Sequence, residues 1–180
     1  MDSWEWLVLL VAIAAVLVLT YALVRTRHRR THLKEQFGRE YDRAVSSSGT
    51  QDAERQLAEI ERERSELDIR PLSPAARDRY LEEWRLVEAR FVSDPRDSAR
   101  AAERLVLRAL EERGYPLDDD GERLVALVSV DHPQVAERYR HGHAMLENVA
   151  GDQSTENLRK VVIDLRSVLE DVVQEARTAA

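Results

Sequence analysis

The hydrophobic pattern divides the chain into two regimes. Residues 6–24, WLVLLVAIAAVLVLTYALV, run for nineteen positions without a charge, a proline or a glycine, and are apolar on every side of a helix. At about 1.5 Å per residue such a stretch is roughly 28 Å long, close to the hydrocarbon thickness of a bilayer, so it predicts a single transmembrane helix. Its twelve Leu, Ile and Val residues favour insertion by roughly 4 to 7 kcal/mol, with no charge opposing them. Trp4 and Trp6 at one end and Tyr21 at the other fall where amphipathic rings settle at the two interfaces. A cleaved signal peptide would begin with basic residues. This chain begins with Asp2 and Glu5, and its apolar run leads into arginines.

After residue 30 the pattern becomes amphipathic. Leu33, Phe37, Tyr41 and Ala44/Val45 recur at helical spacing, with no breaker before Gly38 and no proline before Pro71. Ser46-Ser47-Ser48-Gly49-Thr50 reads as a loop. A second helix over about 51–67 places Ala53, Leu57, Ile60 and Leu67 on one stripe. Residues 31–70 therefore predict a helical stalk or an antiparallel hairpin, the short loop favouring the hairpin. Two or three imperfect heptads are too few for a coiled coil, so packing within the chain is the expected use of these stripes.

Ile69-Arg70-Pro71-Leu72-Ser73-Pro74 marks the boundary to a main domain over 71–180, because residues before proline avoid helical angles. Ser73-Pro74 and Asp94-Pro95 each set a capping oxygen before a proline at the first helical position, and Asp131-His132-Pro133 does much the same. Five helices follow. The first, 74–92, is expected to bury Tyr80, Leu81, Trp84, Val87 and Phe91; the second, 95–113, Ala102, Leu105, Val106, Ala109 and Leu110, ending at Gly114. A short third, 119–129, is apolar nearly all round through Leu124, Val125, Leu127 and Val128, which predicts a central position. The fourth, 133–149, offers Val135, Tyr139, Leu146 and Val149. The last, 154–177, carries the cleanest amphipathic pattern: Leu158, Val161, Val162, Leu165, Val168, Leu169, Val172 and Val173. The predicted fold is all-α: an N-terminal transmembrane helix and basic juxtamembrane segment over 1–30, the stalk or hairpin, and a bundle of about five helices.

Charge adds orientation. Arg25, Arg27, Arg29, Arg30 and Lys34 crowd the C-terminal side of the apolar run. By the positive-inside rule they place the body in the cytoplasm and the N-terminus outside, at the inner or plasma membrane, with Arg25, Arg27, Arg29 and Arg30 at the membrane interface. Residues 1–34 hold five cations and two carboxylates, so of the net −7 the remaining 146 residues carry −10. A body that acidic is repelled by phosphate backbones, which disfavours nucleic acid as a partner. The absence of cysteine excludes disulfides, thiolate catalysis and Cys-based metal sites.

Candidate chemistry is sparse. His141-Gly142-His143 resembles a chelate, but residues two apart on a helix point about 200° from one another. His132 beside Asp131 has the form of a base with an orienting carboxylate, although a helix-start turn explains Asp and Pro there more simply. Asp118-Asp119-Asp120 suits a helix start and lacks the EF-hand spacing, since position 129 is Ser. There is no phosphate-binding glycine loop, no G-x-S-x-G and no H-E-x-x-H. No cofactor, metal or catalytic set is therefore assigned.

The strings LDIRPLSPAARDRYLEEWRLVEARFV (67–92), RGYP (113–116), LVSVDHPQVAERYRHGHAM (127–145) and HLKEQFGREYDRAV (32–45) together resemble an uncharacterised family of bacterial proteins. Its members similarly join an N-terminal hydrophobic segment to an α-helical body, and the resemblance implies no activity. Two functional expectations result. One is a single-pass, membrane-anchored interaction module, a scaffold or regulatory adaptor, with a protein partner or self-association. The other is a small ligand-binding or enzymatic domain using Asp131, His132 and Tyr139, with Arg70 as a further candidate. A deep polar cavity around those side chains favours the second; a solid apolar core with a grooved surface favours the first.

Overall fold

The computed structural model describes residues 4, 13, 16, 17, 20, 21, 31–117, 121–147 and 154–174. Among the described residues every regular element is helical, and no strand is present. Seven helices follow residues 31–37, which are themselves helical: α1 Arg39–Ser48, α2 Thr50–Glu66, α3 Pro74–Phe91, α4 Pro95–Arg113, α5 Gly121–Asp131, α6 Pro133–Glu147 and α7 Thr155–Gln174.

The expectation of a transmembrane helix is corrected: no helix among the described residues is long and apolar enough to cross a membrane. A span needs about 20 predominantly apolar residues. The longest described helix, α7, has 20 residues but carries Arg159, Lys160, Asp164, Arg166, Glu170 and Asp171. Its apolar positions form one face rather than a sleeve. Of the apolar run over 6–24, only Ile13, Val16, Leu17, Thr20 and Tyr21 are described, each helical and exposed. Trp4 is likewise helical and exposed, whereas Trp6, Arg25, Arg27, Arg29 and Arg30 lie outside the described residues.

Local signals start the bundle helices as the sequence predicts. Ser73 Oγ accepts from the Ala76 N–H at 3.1 Å and Asp94 Oδ1 from the Asp97 N–H at 3.2 Å, each ahead of a proline at the helix start. Each cap satisfies one of the N–H groups that a helix start otherwise leaves without a partner. At the far end of α4, Gly114 adopts φ 107°. Its N–H bonds Glu111 O at 2.8 Å while the Tyr115 N–H reaches Leu110 O at 3.1 Å, the paired bonds of a Schellman ending.

The hairpin differs in detail from the expected loop. Ser46, Ser47 and Ser48 belong to α1, and only Gly49, at φ 80°, separates α1 from α2. The serine hydroxyls explain the extension. Ser46 Oγ bonds Asp42 O at 2.7 Å, and Ser47 and Ser48 Oγ both bond Ala44 O at 3.0 Å, partnering carbonyls of the last helical turns.

Packing centres on α7, which lies against α4 and α6 and touches α3. Val161, Leu165, Val168, Leu169 and Val173 are at most 1% exposed, so this one face is sealed by its neighbours along its length. α3 completes the outer side by packing on α4, and the Tyr80 hydroxyl ties the two by donating to Arg108 O at 3.0 Å and Glu112 Oε2 at 2.8 Å. Trp84 is buried in this core; Leu81 and Phe91, expected inside, are only half-buried. On the opposite side α5 and α6 pair, and the hairpin docks onto them. That contact has its own small core of Leu33, Phe37, Tyr41, Leu57 and Val130, bridged to the main core by the half-buried Ile60.

Gly142, a poor helix former in mid-α6, faces α7: a Cβ built there stands 3.5 Å from Leu165 Cγ and 3.9 Å from Val161 Cγ1. That is ordinary van der Waals contact. A Cβ on Gly114 would instead lie 2.6 Å from Asp68 O, on a backbone with positive φ. Two alanine substitutions should therefore shift thermal unfolding of the full chain in opposite directions. Gly142→Ala should stabilise by about 0.5–1 kcal/mol through reduced backbone entropy in the unfolded chain. Gly114→Ala should destabilise by more than about 1 kcal/mol, because the left-handed conformation alone costs roughly that much. Destabilisation by Gly142→Ala would show that α6 and α7 have no room for a methyl group.

Candidate functional site

The residues singled out in the sequence go to separate places. Asp131 closes α5, and its Oδ2 accepts from Arg64 Nε on α2 at 2.5 Å and from the Tyr115 hydroxyl at 3.4 Å. The Arg64 guanidinium also lies over the Tyr115 ring, 5.9 Å from its centre, a cation–π distance. Tyr115 is 2% exposed. Burial first, and the Asp131 carboxylate second, push its hydroxyl up to about 12, which keeps it a neutral donor at ordinary pH. Asp131 thus fastens the hairpin to the bundle.

His132 is the half-buried residue between α5 and α6; its N–H bonds Val128 O at 2.9 Å and its carbonyl accepts from Ala136 at 3.1 Å. It therefore continues the turn from one helix into the next. Arg70 sits in the linker before α3, where its guanidinium pairs with Asp68 and its N–H bonds Arg113 O at 2.8 Å. Tyr139 is buried in α6 and stacks on His143, the ring centres 5.9 Å apart. Burial, reinforced by the nearby Glu103 carboxylate, raises its hydroxyl well above the ordinary tyrosine value. The void it lines, shared with Leu110, Val128 and Val168, holds about 10 Å³, at the lower limit for one water.

The two histidines flanking Gly142 also diverge. His141 Nδ1 meets Asp164 Oδ2 on α7 at 2.7 Å, and His143 Nδ1 meets Glu103 Oε1 on α4 at 2.5 Å. Among the described residues no group of three or more His, Cys, Asp or Glu is placed to hold a metal ion.

Among the described residues, two surface clefts bear on function. One, of about 370 Å³, lies between the hairpin and α5/α6 and includes Glu40, Arg43, Glu122, Arg123 and Arg140. Its charges are already matched. Arg140 bridges Glu40 and Glu122, the latter at 2.8 Å; Arg43 bonds Glu40 at 2.6 Å; and Arg123 makes a forked contact with Glu63 at 3.0 and 3.3 Å. Burial lowers the Arg140 pKa, although guanidinium stays charged in proteins. An incoming anion would have to displace these carboxylates.

The other cleft is an open groove of about 890 Å³ along the outer face of α3 and α4. Val87 and Leu105 form its buried floor, Leu86 and Leu117 stand 54% and 39% exposed beside it, and arginines line its rim. No pattern along the chain points to it. Leu86 falls off the core stripe of α3 and reads as an ordinary surface leucine until the neighbouring helix is in place.

No family model, curated protein or solved structure matches the chain. These comparisons do not bear on the resemblance to an uncharacterised bacterial family, and the geometry alone carries the functional reading.

The Asp131 contact has a measurable consequence. Side chains of Arg64 and Asp131 are 20% and 33% exposed, so the pair works partly in solvent and should contribute about 0.2–1 kcal/mol. A double-mutant cycle of Arg64→Ala and Asp131→Ala, followed by chemical denaturation, should give a coupling in that range that shrinks as salt rises. Zero coupling at low salt would mean that Asp131 acts without Arg64.

Proposed function

We propose that the protein is a helical interaction module, a scaffold or regulatory adaptor that binds another protein through the face formed by α3 and α4. The observation that supports this most directly is the open groove with exposed Leu86 and Leu117 beside a buried apolar floor. Exposed apolar side chains that are contiguous with a groove and rimmed by charge are the usual mark of a docking surface. The rest of the bundle offers a partner a firm support, because the α7 face beneath α4 is almost fully buried.

The ligand-binding or enzymatic alternative needs Asp131, His132 and Tyr139 around one polar cavity. Asp131 bonds Arg64 and Tyr115, while Tyr139 lines an apolar void of about 10 Å³. No observation favours that reading over the groove.

Site-specific photocrosslinking in intact cells tests the proposal. A photoreactive residue in place of Leu86 should yield a discrete protein adduct. The same residue in place of Ile163, which is 51% exposed on α7, should not. Adducts of equal yield at both positions, or no protein adduct at Leu86, would contradict an interaction surface on this face.

A further inference from the structure

Most arginines among the described residues are held by carboxylates, as in Arg39–Glu137, Arg79–Glu112, Arg138–Asp171 and Arg166–Glu88. The half-buried Arg77 is an exception, and the buried Arg113 donates to the carbonyls of Arg70 and Val172. Arg90, Arg100 and Arg104 line the groove, are exposed, and have no side-chain partner among the described residues. Arg96, Arg100, Arg104 and Arg108 follow one another at four-residue steps on α4, which makes them a single ridge of that helix. Arg108 alone in that ridge is paired, with Glu83.

The acidic groups of the groove are largely occupied. Glu83 pairs with Arg108, and Asp94 caps α4 by accepting from Asp97 N. Asp97 sits in the first turn of α4, where the helix N-terminus offsets its charge. The groove lining carries four arginines and three carboxylates, and Arg90, Arg100 and Arg104 stand without a carboxylate partner beside an apolar floor, in a chain whose net charge is −7. Ser98, 3% exposed, lines the same floor, and its hydroxyl has no hydrogen-bond partner.

We propose that this groove takes an acidic amphipathic helix of a protein partner, with apolar side chains on Leu86, Val87, Leu105 and Leu117 and carboxylates on Arg90, Arg100 and Arg104. The proposal rests on the interaction-module reading and specifies the partner's chemistry. A helix fits because the groove is bounded by two helices and offers no strand edge, so recognition falls to apolar anchors at i, i+3, i+4 and i+7. The portion of α4 from Pro95 to Arg108 is about 20 Å long, room for roughly four turns of a docked helix. Nucleic acid is disfavoured because none of the lining residues is aromatic, so its bases would find no stacking platform.

The test uses the full chain and a fluorescently labelled synthetic peptide of about four helical turns, with leucines at i, i+3, i+4 and i+7 and glutamates flanking them. Fluorescence anisotropy should show binding that weakens with added salt. Combined Arg100→Glu and Arg104→Glu should weaken it at least about tenfold, as should Leu86→Asp. The thermal midpoint should stay unchanged in these variants, since the altered side chains are exposed. Equal binding of the counterpart peptide with lysines for glutamates, or no effect of the arginine reversals, would overturn the proposal. Tighter binding of a single-stranded oligoribonucleotide, lost on the same reversals, would also overturn it, in favour of nucleic acid. If Leu86→Asp abolishes binding and the arginine reversals do not, the interaction reading stands and the acidic helix falls. If the crosslink at position 86 also gives no protein adduct, both fall.

Discussion

The apolar face of α7 is the constraint on which the rest of the bundle depends. Eight of its residues, from Leu158 to Val173, are buried, and at about 1.5–3 kcal/mol for each fully buried large aliphatic side chain they supply the main driving force that collects the other helices. α4 and α6 seal that face from two sides. Gly142 of α6 faces Leu165 of α7 with room for a methyl group between them. With α7 covered, α4 is fixed with its Leu105/Val106/Ala109 stripe inward, and its arginine ridge is left outside. The groove is thus a consequence of how the core closes.

The hairpin is attached by different means. Its apolar contribution is the cluster of Leu33, Phe37, Tyr41 and Leu57 against Val130, smaller than the main core. Around that cluster, charged pairs cross from hairpin to bundle: Arg64–Asp131, Arg123–Glu63, Arg140–Glu40 and Arg39–Glu137. The Arg140–Glu40 pair is the most enclosed, with side chains 14% and 11% exposed. Removing one partner there would leave the enclosed charge with a single counter-ion, Arg43 for Glu40 or Glu122 for Arg140, whereas the exposed Arg39–Glu137 pair adds little. Gly38, at φ 53°, turns the chain between residues 31–37 and α1 next to Pro133.

What could be read from the sequence was local or periodic. Ser73-Pro74 and Asp94-Pro95 fix helix starts because cap and proline act within one turn, and the eight-residue stripe of α7 marks its buried face; the sequence pattern points to the helix over 119–129 as central, whereas packing centres on α7. Ser46–Ser48 read as a loop because serine favours turns, yet here the hydroxyls return to carbonyls of their own helix. Gly142 faces α7, but nothing in the structure requires a glycine there. Asp131 looked like a cap or a catalytic partner, but its partner Arg64 lies sixty-seven residues away, and no pattern of spacing reveals that. The apolar run over 6–24 led to a membrane span that no described helix provides. The groove escaped notice for a related reason: whether an arginine is free depends on which carboxylates the fold brings near it.

The molecule is thus a firmly packed platform centred on α7, with a charge-fastened hairpin on one side and, on the other, a groove whose arginines lack carboxylate partners. Hydrogen–deuterium exchange on the full chain tests this arrangement most directly, because exchange resolves stability along the chain. Amides of α4, α6 and α7 should exchange slowest and be insensitive to salt. Those of α1 and α2 should exchange faster, and faster still as salt screens the pairs that hold them. Uniform protection across hairpin and bundle, unchanged by salt, would contradict the account and make the whole chain one cooperative unit.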